Sequence, residues 1–564
     1  MILFFTSVTL GAPVYNEFDI LYVDDDNIDG PWDGTLEYPY KYIEDAVENA
    51  NYGDTIRVYA GVYDNPESNV YITKTLSVIG NGSAETFIER PVFISSDDVL
   101  FRGFTIVGID FETLKKTYCI HLENSNMCDI NNNTIASGLC GIELYDSHNN
   151  TIEYNIIKER EEDKPCIYLF SSNTNMIRKN LFDMCGLGIY VDYCHDIILD
   201  DNNFRDCDYS ISLISSGYCV IKNNVIQNGG TAMTMYLSNN NSISGNTISN
   251  LDSGMIISSS DCNTIIDNII MSNFDGIELQ DSSFYNTITK NNICKNINSI
   301  FVIGSHNNIT GNIISNNSRG LNLGGSNNIV LDNNISSNND YGIRARGAYN
   351  IISNNIISCN EIGIYGDRGP SETESNNVTV IENTIISNNK FGILLYNCSF
   401  YTIKGNTISN NENGIELNGF RNTIIISNII SSNSNDGIIL EPYIWAYVEE
   451  PWNYFPFVNN QIIGNLISYN GKNGIFLSDD FRYLCDSKNN TICENNIINN
   501  KRDAFIINAF FNQWQYNYWT NGWFLPKPIF GIFYRYYDIE FPWVEFPWVK
   551  FDWHPAIKPY NIEV

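Results

Sequence analysis

Positive charge is scarce in this chain. Its 564 residues carry 32 Lys and Arg against 65 Asp and Glu, a formal net charge of −33. No basic stripe is left to neutralise phosphates, so nucleic acid is excluded as a partner. Long apolar runs are missing as well. No stretch reaches 18 apolar residues, which leaves no membrane span. The 14 cysteines lie between Cys119 and Cys493, but no Cys-x-x-Cys pair occurs. Their scattered spacing carries no zinc signature, and they read as small core residues. The apolar segment from Ile2 to Leu10 lacks the basic residues that open a signal peptide. Residues 1–20 therefore read as a truncated signal segment.

What the chain has in quantity is a repeat. A small residue followed by an apolar-x-apolar triplet recurs about every 22 residues. Examples are Gly254-Met-Ile-Ile, Gly276-Ile-Glu-Leu, Gly320-Leu-Asn-Leu and Gly414-Ile-Glu-Leu. Cys119, Cys166, Ser210, Ala232, Ser299 and Ala504 hold the same slot where glycine is absent. Self-similarity at this period predicts a solenoid. The triplet alternates with period 2, a strand signal with one face in and one face out. Asn-rich segments such as Asn312-Ile-Ile-Ser-Asn-Asn separate the strands. Asn tolerates left-handed backbone and is expected where the strand runs bend. A leucine-rich repeat has a similar length, but it needs a fixed Leu-x-x-Leu-x-Leu core, and here Ile dominates. The expected fold is an all-β, right-handed parallel β-helix.

The organisation follows from the repeat. Residues 21–63 read as an N-terminal cap, with Tyr42, Ile43, Ala46, Val47 and Ala50 on one face of a short helix. Residues 64–512 read as the β-helix. Residues 513–564 read as an aromatic C-terminal cap, whose near-repeat Phe541-Pro-Trp-Val-Glu, Phe546-Pro-Trp-Val-Lys uses proline to stop edge pairing. A sugar-stacking role for this cap is a second reading. Long steps place loops near Ser371–Asn377, Pro442–Val458 and Asp479–Lys488. The second loop is rich in aromatics and proline, and reads as a lid on its own coil or as a groove wall.

Outward positions two and four after each anchor form ladders. They hold Glu143 and Tyr145, Tyr168 and Phe170, Tyr190 and Asp192, and farther on Tyr236. Flat rings beside carboxylates suit saccharide recognition, so Tyr145, Tyr168, Phe170, Tyr190 and Tyr236 are the candidate binding residues. Ladders that merely solvate the sheet are the alternative. Glu143 and Asp192 are the candidate catalytic carboxyls. Two coil spacings would separate them by about 9.6 Å, at the outer edge of the window for inverting glycosidases. Arg344, Arg346, Asp367 and Glu416 form a second polar patch.

Metal sites are sparse. Asp25-x-Asn27-x-Asp29-Gly30-x-x-Asp33 resembles the first half of a calcium loop, but Leu36 occupies the position that needs glutamate. A loose calcium site and a solvated acidic turn are both open. His148, His195 and His306 all fall seven residues after an anchor, too far apart to share one ion. Copper needs His, Met or Cys gathered together and is not expected.

The N-terminal cap also carries a resemblance. Tyr22-Val-Asp-Asp-Asp26, Gly30-Pro-Trp-Asp-Gly-Thr35, Tyr42-Ile-x-x-Ala46-Val, Gly53-Asp-Thr-Ile56 and Gly61-Val-Tyr63 resemble the opening of pectin lyase-like right-handed β-helix proteins. The run is similar to that of the NosD-type, carbohydrate-binding-and-sugar-hydrolase (CASH) repeat proteins of microbial cell surfaces. The resemblance implies the fold first. It also implies a periplasmic or extracellular location, and the family label adds copper binding and nitrous oxide reductase maturation. The Asn-Thr-Asp, Gly-His-Gly and Arg-Ile-Lys signatures of polygalacturonases are absent. The expected function is a secreted or surface β-helix that binds polysaccharide or surface glycan, or that packs beside surface-layer neighbours. A polysaccharide hydrolase or lyase and a copper-binding accessory protein are the alternatives.

Overall fold

The computed structural model describes residues 19–109, 117–158, 164–367, 377–444, 454–479, 487–509, 511–523, 525–535 and 544–562. The apolar start at Ile2–Leu10, most of the three long loops and Phe541–Trp543 lie outside these residues. The chain divides into two compact units, 1–203 and 204–564. Each is a parallel β-solenoid.

In the first unit one sheet starts at Ile20–Val23, which pairs in parallel with Thr55–Val58 and then Ser77–Gly80. It continues through Leu100–Arg102, Asp129–Asn131, Thr151–Glu153, Met176–Arg178 and Ile198–Asp200. A second series joins Tyr118–Glu123, Cys140–Tyr145, Pro165–Phe170 and Leu187–Asp192. A third joins Thr134–Ser137, Ile156–Ile157 and Leu181–Asp183. Each lap therefore has three short strands. The helix Ile43–Asn49 buries Ile43, Ala46 and Val47 at the open end of the first coil, where sheet edges need cover.

The second unit repeats this plan with steps of 21 to 23 residues, as in Thr264↔Thr287, Thr287↔Asn308 and Asn308↔Ile329, although in its first laps two of the three strands run together, as Val225–Tyr236 and Thr247–Ser258. Its long steps fall where the anchor spacing places them. Ile364 pairs with Ile393, Ile438 with Ile475, and Ile424 with Gln461. The last anchor differs from the expectation. Ala504 pairs with Ile475, so Asp503 occupies the slot beside Gly474. Parallel pairing continues past residue 513, to Trp519 and Ile532. Lys527–Arg535 then pairs antiparallel with Val544–Asp552, which holds the second near-repeat.

The anchor is small because neighbouring coils pass close to it. A Cβ on Gly254 would meet the Gly276 carbonyl oxygen at 2.3 Å. The apolar residue that follows the anchor is sealed inside, as Ile167, Ile189, Met255, Leu321, Ile343 and Ile415 are. Burying each such side chain contributes about 1.5–3 kcal/mol.

Asn takes left-handed bends as expected, at Asn223, Asn250, Asn316 and Asn354 among others, and has a second role besides. Asn224, Asn246, Asn268, Asn291, Asn312, Asn333 and Asn355 stack one per coil in the interior. Each backbone N–H donates to the next Asn Oδ1 at 2.9 Å. The series ends at buried Asp552, which accepts from Asn517 and from Trp519 Nε1. The left-handed residue is the one before each ladder Asn, and it is Asn223, Gly245, Asp267 or Lys290 in turn. Its side chain points outward, so its identity varies.

Candidate functional site

The outward residues of the first unit form two rows. The inner row reads Tyr71, Phe93, His121, Glu143, Tyr168 and Tyr190, one residue per coil. The outer row reads Glu123, Tyr145, Phe170 and Asp192. Tyr145 stacks on Phe170 with ring centroids 5.4 Å apart, and Tyr168 packs on Tyr190 at 5.4 Å. Four of the five expected binding aromatics thus meet on one face. Tyr236 belongs to the second unit, where it is half exposed and pairs with Ser258.

A cleft of about 500 Å³ opens beside the inner row. Tyr118, Tyr168 and Tyr190 line it, with Glu143, Lys164, Pro165, Leu139 and Leu187. Glu143 is 7% exposed and would be costly to bury alone. His121 compensates, with Nδ1 only 2.6 Å from Glu143 Oε2. The His121 ring is itself fixed between Phe93 and Tyr118. His121 was missed in the sequence, although it stands two residues after the Cys119 anchor, in the same register as Glu143.

The phenols respond to this setting. Burial, then the Asp192, Tyr190 and Glu143 charges, push the Tyr168 hydroxyl up to about 12. Burial and Glu143 raise Tyr118, and burial and Asp192 raise Tyr190. All three therefore stay protonated donors at neutral pH. Asp192 is raised by burial, against a backbone N–H from Tyr193 that favours its charge.

Glu143 and Asp192 do not stack as the simple spacing suggests. Glu143 lies in the inner row and Asp192 in the outer row, two coils on. The offset of two residues adds to two strand spacings and puts their Cα atoms roughly 12 Å apart. Tyr168 stands between them.

In the second unit, Arg344, Arg346 and Asp367 meet. Arg344 Nη2 lies 2.5 Å from Asp367 Oδ2, and Arg346 Nε lies 3.0 Å from Oδ1. Burial alone would raise Asp367, but hydrogen bonds and charge from both guanidiniums hold it below the usual range. Glu416 does not join this group. It accepts from Asn418 Nδ2 at 2.9 Å, and burial raises it. Asp436 and Glu412 add to its rise, and its own charge acts on Glu441, four residues after Gly437, which the sequence reading passed over. Burial, then Glu416 and Asp436, push Glu441 up to about 7.

The acidic N-terminal turn spends its polar groups internally. Asp25 Oδ2 accepts the Val62 N–H, Asn27 Nδ2 donates to the Pro31 and Pro39 carbonyls, and Asp33 Oδ1 accepts from Thr35. Asp29 is exposed.

The five histidines have separate partners. His121 is committed to Glu143, and His148 Nδ1 accepts the Asn173 N–H. His195 pairs with Asp196, His306 packs on Tyr285, and His554 stacks on Tyr516. Among the described residues no three His, Cys, Asp or Glu side chains gather as a metal site. No helix among them is long and apolar enough to cross a membrane.

The chain is similar to several solved structures. One is the A-module of mannuronan C-5 epimerase AlgE4 from Azotobacter vinelandii, at 14% identity and TM-score 0.23, covering 86% of this chain and 97% of that one. Another is a PL6 family alginate lyase, AlyGC, at 10% identity and TM-score 0.34, covering 89% and 97%. A third is the pectin methylesterase PemA from Erwinia chrysanthemi, at 13% identity and TM-score 0.24, covering 41% and 80%. No curated protein matches the sequence. The family model described as "Periplasmic copper-binding protein (NosD)" matches in five overlapping segments, 47–218, 162–305, 211–374, 297–441 and 367–522. Those segments run through most of the solenoid, and the chain belongs to the NosD family.

Proposed function

We propose that this protein is an extracellular or periplasmic β-helix that binds polysaccharide in the cleft of its first unit. The observation that carries this reading is the convergence of Tyr118, Tyr168 and Tyr190 on buried Glu143 in one 500 Å³ cleft. Phenol rings offer apolar faces for sugar C–H groups. Their hydroxyls remain donors, and Glu143 accepts. Saccharide sites are built this way, concave and mostly apolar with a few placed polar groups. The acidic surface keeps nucleic acid away.

The test is incubation of the purified protein with a polysaccharide panel, scored for retention and for released reducing or unsaturated ends. Retention without released ends, lost on Tyr168→Ala, is the expected result. No retention by any member of the panel overturns the reading.

One observation favours a hydrolase or lyase as the second reading. An imidazole lies 2.6 Å from a buried carboxylate, beside a phenol that is itself raised by burial. Such a group is placed for proton transfer. Released ends that vanish on His121→Ala would establish it.

A further inference from the structure

The second unit has a cleft of its own that the first site does not explain. It encloses about 380 Å³, and one row of outward residues forms its floor. The row reads Glu278, Phe301, Asn322 and Arg344, one residue per coil in unbroken parallel register. Neighbouring coils are about 4.8 Å apart, a spacing comparable with one sugar residue in an extended glycan. Asp275 and Arg319 stand on its wall.

Each member of the row is left with capacity to bind. No aromatic ring stacks on Phe301 among the described residues, so its ring is not consumed by packing of that kind. The Asn322 side-chain oxygen is shielded from water and receives no hydrogen bond. The amide nitrogen is not shielded in this way, and it is the donor that a ligand can reach. Glu278 takes one side-chain hydrogen bond, from Gln280 at 3.2 Å, and a carboxylate can accept several more. Arg344 is pre-organised. Its guanidinium lies over the Tyr341 and Tyr365 rings at 5.9 and 5.2 Å, and Nε and Nη2 are clamped on Asp367. One more N–H is shared with the Tyr341 hydroxyl, and the rest are left to the cleft.

The charges decide the class of ligand. With their ion-pair partners counted, Asp275, Glu278, Asp340 and Asp367 stand against Arg319, Arg344 and Arg346, four carboxylates to three guanidiniums. The cleft therefore has no unbalanced cation with which to hold a uronate carboxylate. It offers a flat apolar face, several acceptors and a fixed planar donor, which is what an uncharged polyol ring requires.

We propose that the row Glu278, Phe301, Asn322 and Arg344 is a second saccharide site, selective for neutral glycans. A pyranose stacks on Phe301, a hydroxyl donates to Glu278, and hydroxyl oxygens accept from Asn322 Nδ2 and Arg344. This site is separate from the Tyr118–Tyr190 cleft, and neither depends on the other.

The test uses the full chain carrying Tyr168→Ala and Tyr190→Ala, which disables the first cleft. Cellohexaose, xylohexaose, mannohexaose and a hexameric mannuronate are titrated by calorimetry. The expected result is binding of at least one neutral hexamer near one equivalent, weakened tenfold or more by Phe301→Ala and retained by Phe301→Tyr. A tenfold rise in salt leaves the affinity within about twofold. Asn322→Leu, which keeps the bulk but removes the amide, also weakens binding. The proposal is overturned by no neutral binding in this background, by indifference to Phe301→Ala in a folded variant, or by preference for the mannuronate. Loss of binding only through the Tyr168 and Tyr190 substitutions would retain the first site and refute the second.

Discussion

His121 Nδ1 and Glu143 Oε2 lie 2.6 Å apart on adjacent coils, in register, at the edge of the tyrosine cleft. The pair makes the cleft's acceptor available. Glu143 is buried, and a carboxylate that has lost its partner in such a place costs several kcal/mol. His121→Leu should therefore lower thermal stability and saccharide affinity together. Glu143→Gln keeps the shape and still hydrogen-bonds the imidazole. It should leave the melting temperature within a few degrees and weaken retention about tenfold. Affinity electrophoresis of both variants beside differential scanning calorimetry separates the outcomes. Unchanged retention in both would remove Glu143 from the site.

Much of this was readable in the chain, for a physical reason. The anchor is small because a Cβ on Gly254 or Gly414 would press on the carbonyl of the next coil. The triplet alternates because Ile277 and Leu279 are inside and Glu278 faces out. Those constraints recur every lap, so they print a period, and the rows of outward residues follow from it. Tyr168 and Tyr190 were found in this way. What the period cannot show is how side chains of adjacent coils choose partners. Nothing in the spacing tells that Glu143 turns to His121, or that Glu441 comes under the influence of Glu416. Asn was legible as the residue of the left-handed bends, but its buried ladder was not, because that depends on stacking rather than on local conformation. The Ala504 anchor failed because Asp503 takes the tight slot and a small residue follows it.

The Asn ladder gives a contrast within one residue type. Asn333 Oδ1 accepts both the N–H and the Nδ2 of Asn312, and its own Nδ2 donates to Ile309 and Leu331. Asn333→Ala strands several buried groups and should cost about 1–3 kcal/mol. Since each coil contacts mainly its neighbours, the loss should be local. Faster amide exchange confined to the coils around Ile309–Ile335 is the readout. Asn316 is exposed with φ +56, so Asn316→Gly should be neutral or stabilising. Equal costs for both would refute the division of roles.

Asp367 predicts an acid-side effect. Its carboxyl is held below the usual range by Arg344 and Arg346, so the folded state favours the charged form. That stability is complete above the unfolded value near 3.9 and is lost as pH falls through the lower folded value. Asp367→Asn leaves two partly buried guanidiniums without their counter-ion. The cost should be roughly 2–4 kcal/mol once partial exposure is discounted. Melting curves from pH 7 down to pH 2 should show the two proteins converging at the acid end. A constant gap would assign the effect to packing rather than to charge.

Glu441 predicts the opposite sign. Burial, with Glu416 and Asp436 nearby, pushes its carboxyl up to about 7. The folded state then holds a proton that the unfolded chain releases near its ordinary value of about 4.3. Between those two values each rise in pH favours unfolding, and above about 7 the penalty is complete. Lys472 pairs with Asp436 at 3.2 Å and offsets part of that carboxylate's charge. Glu441→Gln cannot ionise. It should match the parent protein near pH 4 and exceed its stability by roughly 1–3 kcal/mol at pH 8. Glu416→Gln should lower the Glu441 transition, because it removes the second-largest cause of the shift. The measurement is urea unfolding of the three proteins at pH 4, 6 and 8. A Glu441→Gln variant no more stable than its parent at pH 8 would mean that the carboxyl loses its proton at no cost there. The Glu416–Glu441 pair would then not be coupled.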